Sequence, residues 1–388
     1  SEPTIRNVTE KERAGRVLRK GDLLLEKSGG GENQPVGCVV LYDDPRSAVC
    51  SNFVARMVAA TGQNSSYWRY VHAAAYAIRL TIGSINQTSG IQNLDQDRYF
   101  NEYAAFPPQA EQAAIAAFLD REAGKIDALV EEQRCLIDLL KEKRQAVISR
   151  AVTKGLNPNV PMKDSRVEWL GKVPAHWTPM PIRLAARLES GHTPSRSRPD
   201  WWVDCTVPWF TLADVWQIRS GGADVVYETK EMVSELGLAN SSARLLPKGT
   251  VMLSRTASVG FSAIMGVDMA TTQDFANWVC GEALLPEFLL CVFRSMSGEF
   301  RRLMMGSTHN TIYMPDIQAF RFALPPIEEQ RAIVAYVRQV TDSFDALTTE
   351  AHRGVDLLLE RRAALIAAAV TGKIDVRGLV PQPEAVAA

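Results

Sequence analysis

The 388-residue sequence has few cysteines, almost no net charge and no long apolar run. Its six cysteines stand at positions 38, 50, 135, 205, 280 and 291, without the Cys-x-x-Cys spacing of zinc sites. Scattered thiols are typical of a reducing compartment, so neither a structural zinc nor a disulfide framework is expected. The apolar run 363–370 is too short to cross a bilayer, and Ser1-Glu2-Pro3 does not begin a signal peptide. We therefore expect a cytoplasmic protein without membrane contact.

The net charge of −1 comes from 43 basic and 44 acidic residues. This balance counts mildly against nucleic-acid binding, whose usual electrostatic footprint is a strongly basic domain. It does not exclude it, because basic groups can be concentrated on one face or supplied by a partner. The length exceeds what one core supports and indicates two or more domains.

One long stretch of the chain occurs twice. Shifted by 218 positions, residues 109–153 fall without a gap on residues 327–371. Glu111-Gln112 meets Glu329-Gln330, Ile115 meets Ile333, and Asp127-Ala128-Leu129 meets Asp345-Ala346-Leu347. A double proline precedes each copy, at 107–108 and 325–326, and marks where a helix can begin. A gapless repeat of this length argues against two unrelated amphipathic helices.

Both copies predict long helices with a coiled-coil seam. Alternating steps of four and three meet Ile115, Leu119, Glu122, Ile126, Leu129, Gln133, Leu136, Leu140, Lys143 and Val147 in the first copy, and Ile333, Val337, Val340, Phe344, Leu347, Ala351, Gly354, Leu358, Arg361 and Leu365 in the second. Most of these residues are apolar at a 3.5-residue period. A helix over 109–153 would be about 68 Å long, which predicts a spacer.

A globular unit rich in strands precedes each helix. Lys20-Gly21-Asp22 leads into a short apolar strand, as Lys248-Gly249-Thr250 does in the second unit. The stretch 83–88 is predicted to be a polar turn that matches 306–311. The counterpart of roughly 168–228 is not found in the first unit. Either the chain has lost a front portion or the first unit is smaller.

Four segments carry a family resemblance. They are LPPIEEQRAIV at 324–334, LNPNVPMKDS at 156–165, EWLGKVPAHW at 168–177, and the stretch from RRAALI at 361–366 to TGKID at 371–375. Together they resemble the specificity subunit (HsdS) of type I restriction–modification systems.

The resemblance implies an α+β fold in which two mixed α/β target-recognition domains are separated by two long antiparallel helices that form a coiled coil with a pseudo-twofold repeat. The expected domains are a first recognition domain over 1–108, a first spacer helix over 109–155, a linker with the second recognition domain over 156–325, a second spacer helix over 326–375 and a tail over 376–388. Such a subunit is not an enzyme. It reads a bipartite DNA target, and the helices set the spacing of the two half-sites.

The resemblance also implies partners. Double-stranded DNA is the ligand, and two modification (HsdM) subunits dock on the helices, where the exposed surface includes Arg144, Arg361 and Arg362. Restriction (HsdR) subunits complete the complex. The chain itself is expected to bind no cofactor or metal, because S-adenosylmethionine, ATP and Mg²⁺ belong to the partner subunits. No Gly-x-x-x-x-Gly-Lys-Ser/Thr loop occurs in the sequence.

Polar loops at matched positions are the predicted DNA contacts. They comprise Lys27, Ser28, Asn86, Gln87 and Thr88 in the first unit, and Arg196, Arg255, Thr256, Ser258, Thr308, His309, Asn310 and Thr311 in the second. Arginine suits guanine edges and phosphates. For each stretch, a surface turn whose side chains only cap the local backbone is an equally good interpretation. The turn 191–196 more often has a structural role, and Trp201, Trp202 and Trp209 are more often core residues than base-stacking platforms.

Two rival hypotheses stay open. Asp200, Glu228 and Lys230 formally match the metal site of a PD-(D/E)xK nuclease, although a surface loop beside a solvated charge cluster has the same pattern. The other rival is a scaffold whose recognition units are degenerate.

Overall fold

The computed structural model describes residues 4–88, 90–219, 223–304 and 310–379, with the side chains of Glu12 and Thr88 left out. The chain forms two compact units. The first comprises Ser1–Leu136 together with Ala351–Ala388, and the second comprises Ile137–Glu350. Each unit therefore contains a β-rich part and one half of each long helix.

The elements of the first β-rich part, in chain order, are α1 (Glu10–Arg13), β1 (Val17–Leu18), β2 (Leu23–Glu26), β3 (Ser28–Gly29), β4 (Val39–Leu41), β5 (Ala48–Val49), β6 (Val54–Met57), α2 (Ser65–Ala77), a 3₁₀ helix (Leu80–Ser84), β7 (Ile85–Thr88), β8 (Ile91–Leu94) and α3 (Gln96–Phe100). The first long helix, α4 (Gln109–Lys154), follows.

The second β-rich part contains β9 (Met162–Asp164), β10 (Lys172–Pro174), β11 (Thr178–Pro181), β12 (Ala186–Ser190), β13 (Val207–Phe210), β14 (Val225–Val226), β15 (Glu231–Val233), α5 (Glu235–Ala239), β16 (Val251–Ser254), β17 (Ser262–Met265), β18 (Ala270–Thr271), β19 (Phe275–Cys280), α6 (Pro286–Ser295), α7 (Ser297–Leu303), α8 (Met314–Gln318) and β20 (Arg321–Leu324), with 3₁₀ helices at Ile182–Leu184, Pro199–Trp202 and Leu212–Ile218. The second long helix is α9 (Ile327–Val370).

The described strands pair into small sheets in both units. The main sheets of the first unit run β4-β2-β6 and β3-β8-β7. In the second unit a five-stranded sheet runs β12-β19-β16-β17-β14, and a three-stranded sheet runs β15-β13-β18. The five-stranded sheet packs against α6, whose buried face includes Phe288 and Phe293. The fold class is α+β, as predicted.

The two units repeat the same backbone hydrogen bonds around one strand pair. In the first, Glu26 N donates to Cys38 O (2.9 Å) and Gly37 N donates to Glu26 O (2.9 Å). In the second, the corresponding bonds are Ser254 N to Phe261 O (2.8 Å) and Gly260 N to Ser254 O (2.9 Å). The hairpin β2–β4 is therefore the counterpart of the hairpin β16–β17.

The long helices pack together inside each unit, and they run antiparallel there. In the first unit, Ile115 and Leu119 pack in one cluster with Ile366 and Val370, while Val130, further along α4, packs with Val355. In the second unit, Ile148 and Val152 pack in one cluster with Ile333 and Val337. The prediction of two long helices packed on each other is confirmed.

The predicted seam is wrong at five positions, which are exposed: Leu129, Leu136 and Lys143 on α4, and Leu347 and Arg361 on α9. Leu129 and Leu136 are 46% and 42% exposed, whereas their neighbours Val130 and Ile137 are buried. The second helix shows the same shift. Leu347 is 55% exposed, and the buried position is Val355 rather than the predicted Gly354. Adjacent positions are both apolar on α4, so the hydrophobic pattern alone could not choose between them.

The shift also moves two arginines from the predicted docking surface into contacts between the helices. Arg362 is paired with Asp127 in the first unit, and Arg144 is paired with Asp345 in the second. Arg361 is exposed, as predicted.

A buried glutamine ties each long helix to the β-rich part of its unit. Gln112 Oε1 accepts from the backbone N–H of Asn64, the N-cap of α2 (3.0 Å), and Nε2 donates to Pro107 O (2.9 Å). Gln330 repeats this with Leu285 N, the N-cap of α6 (2.9 Å), and Pro325 O (3.0 Å). Gln112 and Gln330 each stand four residues after a double proline. Each of them thus fixes where the β-rich part meets the long helix of its unit.

Candidate nucleic-acid interface

The loop between β16 and β17, residues 255–261, is anchored by the side chain of its first residue. Arg255 Nε donates to Gln273 O (2.9 Å), and Nη1 lies 3.3 Å from Ile312 O. The backbone N–H of Arg255 donates to Asp274 O (2.8 Å). Two of the five N–H groups of the guanidinium therefore tie three segments together.

The other predicted residues of this loop meet the segment that follows residue 309. Thr256 forms an antiparallel bridge with Thr311, and Ala257 N donates to Asn310 O (2.9 Å). Ala257 has a φ of +59°, in the left-handed region that costs a non-glycine residue about 1–2 kcal/mol. Arg255, Thr256, Ser258, Asn310 and Thr311 thus come together, while Thr308 and His309 lie outside the described residues.

The turn 191–196, which begins Gly-His-Thr-Pro, lies beside the same segments. His192 N donates to Thr271 O (3.0 Å), and Thr193 Oγ1 donates to Gln273 Oε1 (2.8 Å). A Cβ on Gly191 would lie 2.1 Å from Thr272 O, so only glycine fits this close approach. The structure therefore supports the structural interpretation of this turn.

Arg196 is held by its own unit on the sheet β15-β13-β18. Its Nη2 lies 2.6 Å from Glu231 Oε2, and its guanidinium carbon lies 3.7 Å from the ring centroid of Trp202. Trp202 in turn meets buried Trp209 edge to face, with ring centroids 5.4 Å apart. This pair is part of the packing, as the sequence indicated for the tryptophans.

In the nuclease hypothesis, the carboxylate of Asp200 already has a partner, and the backbone of Lys230 is held by a neighbouring carboxylate. The carboxylate of Asp200 accepts from Arg198 Nε (3.1 Å) and Nη2 (2.9 Å), and this guanidinium holds the pKa of Asp200 below its usual range. The backbone N–H of Lys230 donates to buried Asp214 Oδ1 (2.7 Å). Within residues 4–88, 90–219, 223–304 and 310–379, His, Cys, Asp and Glu side chains form no group of three that could hold a metal ion.

In the first unit the predicted residues share one small sheet. Ser28 on β3 pairs with Asn93 on β8, and Asn93 pairs on its other side with Asn86 on β7. Ser28 Oγ donates to Asn93 Oδ1 (2.7 Å). Asn86 and Asn93 are exposed, so this row of side chains forms a polar face beside Lys27. Gln87 pairs with buried Gln92, whose side chain accepts from Val36 N.

The prediction of a polar turn over 83–88 is wrong for residues 85–88. These residues form β7, which pairs with β8 from Ile85↔Leu94 to Thr88↔Ile91. This strand carries exposed polar side chains, and its amino-acid composition is the same as that of a polar turn. Composition alone therefore does not distinguish the strand from a loop.

The pairing also identifies a residue that sequence reasoning missed. The Ser28↔Asn93 pair and the Thr256↔Thr311 bridge involve corresponding positions of the two hairpins. Asn93 is therefore the first-unit counterpart of Thr311. The match of residues 83–88 to 306–311 in the sequence instead aligns Thr88 with Thr311. The signal was present, since 93 and 311 differ by the same 218 positions as the helices.

Arg219 contacts the loop 255–261, and Trp216 stands three positions before Arg219 in the chain. Arg219 Nη2 donates to Ser258 Oγ (2.9 Å), and its guanidinium carbon lies 5.8 Å from the ring centroid of Phe261. Trp216, in the 3₁₀ helix that ends at Ile218, is 71% exposed. A large exposed aromatic beside an arginine is suited to stacking on bases or sugars.

None of the helices within the described parts of the chain is both long enough and apolar enough to span a membrane.

Known proteins resemble the chain in sequence and in fold. Residues 177–354 match the family "Type I restriction modification DNA specificity domain". The type I restriction enzyme MjaIX specificity subunit of Methanocaldococcus jannaschii is 25% identical over 177 residues, 45% of this chain and 40% of that protein. The type I restriction enzyme EcoprrI specificity subunit of Escherichia coli is 24% identical over 196 residues, 49% of this chain and 45% of that protein. The chain thus matches less than half the length of either relative.

A solved structure shows the same fold. The work that describes it concerns complex assembly and conformational transition of the type I R-M system. The match has a TM-score of 0.64 at 21% identity and covers 92% of this chain and 83% of the other. The repeated units and the long packed helices thus have the fold of that structure, and residues 177–354 of this chain belong to the family of type I restriction modification DNA specificity domains.

Proposed function

We propose that the chain is the non-catalytic subunit that selects the DNA target of a type I restriction–modification complex. The repeated hairpin carries this proposal, because β2–β4 and β16–β17 share their hydrogen bonds and each is followed by polar residues. Lys27-Ser28 directly follows β2 as Arg255-Thr256 follows β16. Two matched reading surfaces suit a target with two half-sites.

Different side chains at these surfaces contact the bases and the phosphates. Amides and hydroxyls such as Asn86, Asn93 and Ser258 can exchange hydrogen bonds with base edges, and Lys27 and Arg219 can reach phosphates. Because the net charge is only −1, the attraction to DNA comes from such local cations and from partner subunits. Arg255 orders its loop while its remaining N–H groups face the ligand. Arg196, Thr308, His309, Gln87 and Thr88 complete the proposed contacts.

The long helices serve as spacer and docking frame. Their outer faces carry leucines in repeat-related pairs: Leu129 with Leu347, and Leu139 with Leu357, all between 46% and 57% exposed. Equivalent apolar faces suit two identical partners. We assign them to two modification subunits, which bring S-adenosylmethionine and the adenine methyltransferase site. Restriction subunits with ATP and Mg²⁺ complete the complex.

Methylation mapping tests the proposal. The chain is expressed with its modification subunit, and methylated adenines are read across the host genome. We expect a bipartite motif with a fixed spacer. Asn93→Ala should change the bases accepted in one half only, and Asn310→Ala those in the other half.

Asn101→Ala, which alters an exposed asparagine at the end of α3, is the matched control and should leave the motif intact. A continuous motif, or the same motif from the Asn93 and Asn310 variants, would show the assignment to be wrong.

A further inference from the structure

A neighbouring hydroxyl sets the orientation of the Asn93 side chain. Ser28 on β3 pairs with Asn93 on β8, and Ser28 Oγ donates to Asn93 Oδ1 (2.7 Å). An asparagine side chain carries one acceptor, the oxygen, and one donor, the NH2 group. Because the oxygen is turned toward Ser28, the NH2 group is the part of this side chain that a ligand can use.

The backbone holds this hydroxyl in place. The N–H groups of Lys27 and Ser28 both donate to Phe53 O (2.9 and 3.2 Å), and Leu94 N donates to Lys27 O (2.8 Å). The strand that carries Ser28 is therefore tied on one side to the turn before β6 and on the other side to β8. The orientation of Asn93 is thus set by the fold before any ligand binds, which lowers the cost of ordering the side chain on binding.

Asn93 lies on the exposed face of its sheet. Exposure alternates along β8, where Ile91 and Asn93 are exposed while Gln92 and Leu94 are each only 6% exposed. Asn86 on β7 pairs with Asn93 and is exposed too. Since paired residues of neighbouring strands share a face, the polar row is open to solvent. The major groove of DNA admits β-strands, which read base edges with the side chains of one face.

The orientation of the side chain decides which base it fits. In the major groove adenine presents an acceptor, N7, beside a donor, N6, and a freely turning asparagine meets both with its two polar atoms. Guanine presents two acceptors, N7 and O6. Asn93 can turn both polar atoms to adenine only by giving up its bond to Ser28, whereas its NH2 group meets guanine with that bond intact.

We propose that Asn93 reads guanine in one half of the DNA target, and that Ser28 is the positioning residue that turns Asn93 away from adenine. This assignment rests on the proposed function, in which the polar face of the first unit meets DNA. The second unit has different chemistry at the corresponding positions, because Thr256 and Thr311 carry hydroxyls, which both donate and accept. The selection of guanine by a fixed amide therefore belongs to the first unit.

Competition binding tests this with the full-length chain in complex with its modification subunit. Methylation mapping with Asn93→Ala first identifies the target position that this change relaxes, and four duplexes then carry each base at that position. We expect the unaltered chain to prefer guanine. Ser28→Ala frees the amide and should raise the affinity for adenine relative to guanine by about three- to tenfold, the effect of one hydrogen bond. Ser28→Thr retains the hydroxyl and should keep the preference for guanine.

Asn93→Asp reverses the chemistry, because a carboxylate only accepts, and it should move the preference to cytosine, whose N4 donates. Circular dichroism establishes that each variant is folded. A preference of the unaltered chain for another base would overturn the assignment, as would a Ser28→Ala variant with unchanged preference; in both cases the bipartite target and the proposed function stand. If Asn93→Ala relaxes no position in either half, Asn93 reads no base, and its part in the proposed function fails as well.

Discussion

Arg362 on α9 donates hydrogen bonds to both carboxylate oxygens of Asp127 on α4, with Nε–Oδ1 and Nη2–Oδ2 distances of 2.7 and 3.2 Å. A corresponding ion pair, without hydrogen-bond geometry, occurs at the other copy of the repeat, where Arg144 Nε lies 3.2 Å from Asp345 Oδ1. Both members of one pair are 218 positions from their counterparts in the other. The two pairs therefore hold the helices in one antiparallel alignment inside each unit.

The Asp127–Arg362 pair should contribute a small, salt-dependent part of the stability. Its side chains are 51% and 32% exposed, so solvent screens the interaction. A double-mutant cycle with Asp127→Asn and Arg362→Gln should give a coupling of about 0.5–1 kcal/mol at low salt, measured by urea unfolding. Arg361→Gln, at the exposed neighbouring position, is the control and should show no coupling to Asp127→Asn. A coupling that is unchanged in 1 M salt would contradict an ionic origin.

The two buried glutamines should matter far more than the ion pairs. Gln330→Ala leaves the N–H of Leu285 and the carbonyls of Ala283 and Pro325 without their partner. Each unsatisfied buried group costs about 1–3 kcal/mol, so the three groups predict a loss of about 3–9 kcal/mol in the free energy of unfolding. Gln112→Ala should behave alike. Gln339→Ala, exposed on α9, serves as the control, and a cost as small as its own would refute the role of the buried pair.

The sequence predicted the long helices well and the surfaces less well. The gapless repeat, 109–153 and 327–371, ends within one residue of the observed helix ends, 154 and 370, whereas the spacer helix expected over 326–375 extends five residues too far. The seam was displaced because Leu129 and Val130 are both apolar, and only packing selects between them. Asn93 escaped notice because its importance lies in pairing with Ser28, 65 positions away. Long-range pairing of short polar strands leaves no periodic signal in a single sequence.

Arg255 should affect both folding and DNA binding. Arg255→Ala removes the side-chain donors to Gln273 O and Ile312 O. We expect a loss of about 1–2 kcal/mol in the free energy of unfolding and a loss of about 1–3 kcal/mol in binding to the cognate half-site. Binding is measured with cognate and scrambled duplexes at one salt concentration. An equal loss on both duplexes would show that Arg255 orders the loop and reads no base.

Burial of His72 should make the first unit sensitive to acid. Burial lowers the pKa of His72 to about 4, and its Nδ1 lies 2.8 Å from the hydroxyl of Tyr99. As the pH falls, His72 binds a proton near pH 6.5 in the unfolded chain but only near pH 4 in the folded chain. Stability should therefore fall as the pH drops through this window, by roughly 3 kcal/mol at about 1.4 kcal/mol per pKa unit.

Urea unfolding of the chain and of His72→Phe between pH 4 and 7 isolates this contribution from that of the carboxylates. The variant should show a shallower dependence on pH in this window. Identical pH profiles would mean that His72 has the same pKa in the folded and in the unfolded chain, which would contradict the prediction.

The exposed leucines should decide how many modification subunits the chain binds. Leu129→Glu with Leu357→Glu alters the apolar face in the first unit, and Leu139→Glu with Leu347→Glu alters that in the second. Because these side chains are about half exposed, each double variant should keep its helical circular dichroism. Native mass spectrometry should find one modification subunit bound in place of two with either double variant, and none with all four changes. Glu132→Lys, an exposed polar position of α4, should still bind two. If every variant binds two subunits, the partners dock elsewhere, and the leucines cannot explain why the helices repeat their outer faces.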